Sequence, residues 1–274
     1  MKRVLGTGIV VTVVAAATVT TFLFMKSSSA PAAHTQTTPT SSKTTNDSRV
    51  EVKLPGTTPI EALKEDYHDP ASLWVVVSKE HPLASAEYVP ASLSRPNITL
   101  NSAKSSEEQS LRSDILTPTE ELFAGAKTAG FDVMLASGYR SYALQKSYFD
   151  NYARVSGEAE ANKFSAHPGQ SEHQTGLAFD ISLTNRSCYL ETCFAETEAA
   201  KWFAAHAYEY GFILRYPSDK TDITKYQFEP WHFRYVGKDL ARALHDSGLT
   251  LDEAFPALEK ARDQLLEKKL IPKE

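Results

Sequence analysis

The stretch SEHQTGLAFDIS, residues 171–182, is where the reading of the fold turns. Its second half, 176–182, is a short apolar run behind a glycine and reads as a strand, while the polar first half reads as a turn. Upstream, 131–136 predicts another strand that runs into Ser137-Gly138-Tyr139-Arg140, followed by a helix over 142–155. Thr117-Pro118-Thr119-Glu120 predicts a helix start, with the helix stopping at Gly130. The β-branched run LWVVVS at 73–78 predicts one more strand. Downstream, 196–210 predicts an amphipathic helix ending at Gly211, 212–216 and 231–236 predict strands, and 238–247 and 251–268 predict closing helices. Helices and strands mix without a regular βαβ alternation. That predicts an α+β fold built on a small antiparallel sheet flanked by helices.

The 274 residues leave room for one mid-sized domain plus accessory segments. With 42% hydrophobic and 23% charged residues, the composition is that of an ordinary globular chain. A net charge of -5 and the absence of a basic stripe interleaved with aromatics argue against a nucleic-acid partner. Lys2 and Arg3 precede an uncharged run over 4–25, and Lys26 follows it. As a helix this run would span roughly 33 Å, about a bilayer core. Residues 1–26 are therefore read as a single-pass membrane anchor with the remainder outside the cell. A secretory signal cleaved near Ser28-Ser29-Ala30 is the alternative. Residues 27–54, rich in Ser, Thr, Ala and Pro, are read as a flexible linker, and 55–274 as the folded domain.

Cys188 and Cys193 are the only cysteines. They could be a disulfide, a pair of metal ligands or two unrelated thiols. An exported chain meets an oxidising compartment, and no further Cys or His lies within ten residues, so the disulfide is expected.

Three segments carry chemistry: Ser137-Gly138-Tyr139-Arg140-Ser141 with Gln145, then 171–180, then Glu229-Pro230-Trp231-His232. Two imidazoles and one carboxylate make a three-ligand zinc site with a fourth position open for water. A separate carboxylate can take that water's proton, and a fixed guanidinium can hold charge developing on a carbonyl oxygen. Taken singly, each residue has a plainer reading: a satisfied histidine, a strand-capping aspartate, a surface arginine. Two arguments favour the set. On an extended strand His232 points away from Trp231 and Phe233, and Gly176 permits a turn between His173 and Asp180.

The pattern S-x-H-x-x-G-x-A-x-D, followed at a distance by E-x-W-H and preceded by S-G-Y-R-S-x-x-x-Q, resembles the VanY-type D,D-carboxypeptidases. These belong to a zinc peptidase group that also holds VanX-type dipeptidases and L,D-carboxypeptidases. The likeness runs over about 73–237. It implies one zinc ion per chain held by His173, Asp180 and His232, with the zinc cleft on one face of the sheet. It also implies Glu229 as general base, Arg140 as stabiliser of the tetrahedral intermediate, and Gln145 and Ser171 near the substrate's terminal carboxylate. The implied activity is removal of the terminal D-alanine from peptidoglycan stem peptides. An L,D specificity on tetrapeptide stems and a non-catalytic wall-binding module are the alternatives. A penicillin-binding type of serine peptidase is disfavoured, because no Ser is followed three positions later by Lys.

Overall fold

The structure, a computed structural model, describes residues 48–273 of the chain. Among these residues the order is β1 (Glu51–Val52), β2 (Ile60–Glu61), β3 (Leu93–Ser94), β4 (Leu111–Arg112), α1 (Leu116–Thr128), β5 (Val133–Ser137), α2 (Tyr142–Ser156), α3 (Glu158–Phe164), β6 (Ala178–Leu183), α4 (Glu198–His206), β7 (Phe212–Leu214), α5 (Thr221–Thr224), β8 (His232–Tyr235), α6 (Lys238–Ser247) and α7 (Leu251–Glu267). The α+β class predicted from the sequence is what forms. Four strands build one sheet in the order β5-β6-β8-β7, and every pairing is antiparallel.

The register of that sheet sorts the side chains. Phe179 lies opposite Phe233, and Asp180 lies opposite His232. Because side chains alternate along a strand, Phe179, Ile181 and Phe233 share one face while Ala178, Asp180, His232 and Arg234 share the other. The first face is core: it packs with Leu122, Phe123 and Ala126 of α1 and with Ala199, Ala200 and Phe203 of α4. Burying each large side chain there contributes roughly 1.5–3 kcal/mol. A second cluster joins Val52 of β1 to Leu240 and Leu244 of α6 and Leu258 of α7.

Helix ends follow local chemistry. Ser141 caps α2 by accepting from Leu144 N, and Thr250 with Glu253 forms a capping box at α7. α3 and α5 have no counterpart in the sequence reading, and the reason is physical. Each is short and buries one residue, Ala161 or Thr224, so neither shows an amphipathic period.

Two expectations need correction. Residues 73–78 are not a strand. Val75 and Val77 join one core cluster while Trp74 and Val76 join the other, so the segment is extended and buried on both sides. Their backbone has no ladder partner; instead Arg234 Nη2 donates to the carbonyls of Leu73 (3.0 Å) and Val75 (2.8 Å). A guanidinium stands where a neighbouring strand would. The linker, predicted over 27–54, ends earlier: Val50, Val52 and Leu54 are buried, and β1 pairs with β2. The predicted anchor and the rest of the linker lie outside the described residues. No helix among the described residues is long and apolar enough to cross a membrane.

Candidate active site

Asp180 in the middle of β6 and His232 at the start of β8 are directly paired, which puts their side chains side by side on the polar face. His173 comes from the turn just before β6. That turn closes at Gly176, whose φ of +69° suits a residue without a Cβ. The chain thereby folds His173 back over Asp180. His173 Nε2 lies 3.4 Å from Asp180 Oδ2, and His232 Nδ1 lies 3.4 Å from Asp180 Oδ1. All three residues are buried, and one ligand atom from each lies within 4.8 Å of the others.

This donor set fits a divalent cation. His173 Nδ1 donates to the Gly138 carbonyl at 2.6 Å, which leaves Nε2 with its lone pair facing Asp180. His173 Nε2 and Asp180 Oδ1 are buried without a hydrogen-bond partner, a costly arrangement unless something binds there. Burial, followed by the Arg140 charge, pushes His173 down to about 4, so its imidazole is neutral. Burial opposes a proton on His232 as well. Asp180 and Glu172 outweigh it and push His232 up to about 9, marking a spot where the protein favours positive charge. Asp180 is held below the usual carboxylate range against its burial, chiefly by the two imidazoles.

The remaining predicted residues gather around the same point. Glu229 Oε2 lies 3.5 Å from His232 Nδ1, and its carboxyl is pushed up to about 7, mainly by burial. Arg140 Nη2 sits 3.7 Å from Asp180 Oδ2, and its Nη1 donates to Gln145 Oε1 at 3.1 Å. Gln145 also donates to the Ala166 carbonyl at 2.8 Å, so both ends of its amide are engaged. Ser171 lines the cleft alongside Tyr216 and Tyr226, and its hydroxyl makes no hydrogen bond among the described residues. The sequence reading missed Glu172, whose Oε2 is 3.5 Å from His232 Nε2. Glu172 lay inside the motif, and Arg234, its buried partner, follows His232 at the spacing that returns to the same strand face.

Gly138 links this geometry to the neighbouring loop. A Cβ there would collide with the Ser110 carbonyl and lie 3.1 Å from the Glu108 carbonyl. Gly138→Ala is therefore expected to cost about 1–3 kcal/mol by overpacking. It should also shift the carbonyl that orients His173, weakening metal uptake. Thermal melting and metal titration of the same sample check both effects.

The two cysteines are bonded to each other. Within their loop Tyr189 accepts at its hydroxyl from Asn101 Nδ2 (3.0 Å), which also donates to the Ala136 carbonyl at the end of β5. Reduction of this short loop should cost about 2 kcal/mol of stability. Metal content should stay unchanged, as read by melting with and without reductant.

Against known proteins, residues 108–238 match the model of the VanY family, D-alanyl-D-alanine carboxypeptidase. YodJ of Bacillus subtilis (strain 168) is 40% identical over 196 residues, covering 72% of this chain and 71% of that protein. Among solved structures, the LdcB LD-carboxypeptidase, described for its peptidoglycan recognition, is 41% identical with a TM-score of 0.65. That likeness covers 69% of this chain and 87% of LdcB. A variant of the vancomycin-resistance D,D-pentapeptidase VanY, solved in complex with Zn(II), is 30% identical with a TM-score of 0.55. It covers 66% of this chain and 98% of VanY. The matched segment contains every residue gathered around the polar face of the sheet, and the chain belongs to the VanY family of D-alanyl-D-alanine carboxypeptidases.

Proposed function

We propose that this chain is a zinc-dependent carboxypeptidase that releases the terminal D-alanine from peptidoglycan stem peptides ending in D-alanyl-D-alanine. The observation that carries the reading is the convergence of His173, Asp180 and His232 within 4.8 Å, with buried ligand atoms left unpartnered. A zinc ion held by these three would supply a Lewis acid for activating water and polarising the scissile carbonyl. Glu229 takes the proton of the attacking water and returns it to the departing amine. Arg140 holds the negative charge that develops on the carbonyl oxygen. Ser171 offers its hydroxyl to the substrate's terminal carboxylate, and Gln145 fixes Arg140 by accepting from its Nη1.

A second reading, cleavage at the L,D bond of a tetrapeptide stem, is favoured by the 41% identity and TM-score of 0.65 to LdcB. Mass spectrometry of defined stems separates the two. Loss of one alanine from a pentapeptide, with the tetrapeptide intact, supports the first. Shortening of the tetrapeptide supports the second. Hydrolysis of neither, or hydrolysis that survives a chelator, sinks the proposal. The domain is further proposed to work outside the cell, tethered through the run over 4–25. The Cys188–Cys193 bond supports an oxidising compartment.

A further inference from the structure

Behind His232, on the side away from Nδ1, a line of buried charges runs to the first turn of α7. Glu172 is 1% exposed. Its Oε1 accepts from Arg215 Nε and from Arg234 Nη1, each at 2.8 Å. Its Oε2 is left facing His232 Nε2 at 3.5 Å, and neither atom has another partner. Arg215, equally buried, turns both terminal nitrogens onto Asp252: Nη2 to Oδ1 at 3.1 Å and Nη1 to Oδ2. Arg234 is pinned in turn by the carbonyls of Leu73, Val75 and Tyr235.

One observation sets this cluster apart from an ordinary structural ion pair. Buried ion clusters add little stability compared with apolar packing of the same volume, because desolvation offsets attraction. This one ends on the ring nitrogen opposite the atom that faces Asp180 and Glu229. An imidazole has two neutral tautomers, and only the one with its proton on Nε2 offers a lone pair at Nδ1. A carboxylate fixed against Nε2 selects that tautomer and the ring orientation together.

We propose that Asp252, Arg215, Arg234 and Glu172 form a positioning relay that holds His232 for metal binding. The first turn of α7, which lies beyond the family-matched residues, would then help to set the site's affinity for zinc. This rests on the metal-site reading above. Asp252 is the accessible handle, since its side chain is 14% exposed and α7 keeps its Thr250 cap without it. Asp66→Asn is the control, because it breaks another ion pair of α7, that of Arg262 with Asp66, away from the cleft.

The full chain and its Asp252→Asn, Glu172→Gln and Asp66→Asn variants would be checked for native near-ultraviolet circular dichroism without metal. Zinc dissociation constants follow by competition with a chromophoric chelator, and cobalt substitution gives the visible ligand-field spectrum. Glu172→Gln should weaken zinc by about 10–100-fold and change the cobalt bands. Asp252→Asn should weaken it in the same direction by a smaller factor, roughly threefold or more. Asp66→Asn should leave both readouts at the wild-type values. A role confined to packing would lower melting temperatures and leave the zinc constants and cobalt spectra unmoved; that result overturns the relay. Should Glu172→Gln fail to fold, Asp252→Asn against Asp66→Asn decides. A wild-type protein that binds neither metal would overturn the metal-site reading, and the relay with it.

Discussion

Glu229→Gln is expected to lower turnover by about 10³-fold or more while the protein still takes up one metal ion per chain. The amide keeps the shape of the side chain and removes its capacity to accept a proton. Glu229 is buried beside His232 Nδ1, close enough to a cation at the three-ligand point to serve water there. It is not needed to complete that ligand set. Burial pushes its carboxyl up to about 7. In the proposed role the basic form is the active one, so kcat/KM should rise with pH and level off once Glu229 is ionised. A bound dication would pull the carboxyl down, so the limb lies at or below about pH 7. The variant should lack this limb altogether. Near-normal turnover, or an unchanged acid limb, would remove Glu229 from the role.

His173→Ala should lose the metal as well as the activity. Structural zinc sites bind with about 10–16 kcal/mol over their full ligand set, so one ligand accounts for roughly 3–4 kcal/mol. That is on the order of 10²–10³-fold in affinity. A ligand that binds only the folded state raises its melting temperature by mass action. Added zinc should therefore raise the melting point of the wild-type protein and leave that of His173→Ala nearly still. The alanine variant also gives up the hydrogen bond from Nδ1 to the Gly138 carbonyl, so its apo form should melt somewhat lower than wild type. A variant whose zinc dissociation constant matched that of the wild type would exclude His173 as a ligand.

Much of the candidate site was legible before any coordinates. The spacing of His173, Gly176 and Asp180 implied a turn followed by a strand, and the structure has that turn, closed by a glycine with positive φ. The alternation of Trp231, His232 and Phe233 implied one residue on the cleft and two in the core, as the sheet register shows. Glu172 was not legible. In the sequence it is one acidic residue among 34, and its meaning depends on two arginines more than forty positions away.

Most of the longer elements and the antiparallel class were determined by the sequence itself, because periodicity, capping residues and turn glycines act over a few neighbours, while the candidate metal ligands followed from the motif's resemblance to a known family. Only the tertiary structure decided which of those elements pair. It aligned Asp180 with His232, gave the run over 73–78 an arginine in place of a strand, and buried Glu172 between Arg215 and Arg234. The physical reason is range: a backbone carbonyl or a buried charge must find a partner somewhere, and local sequence does not say where in the chain that partner lies.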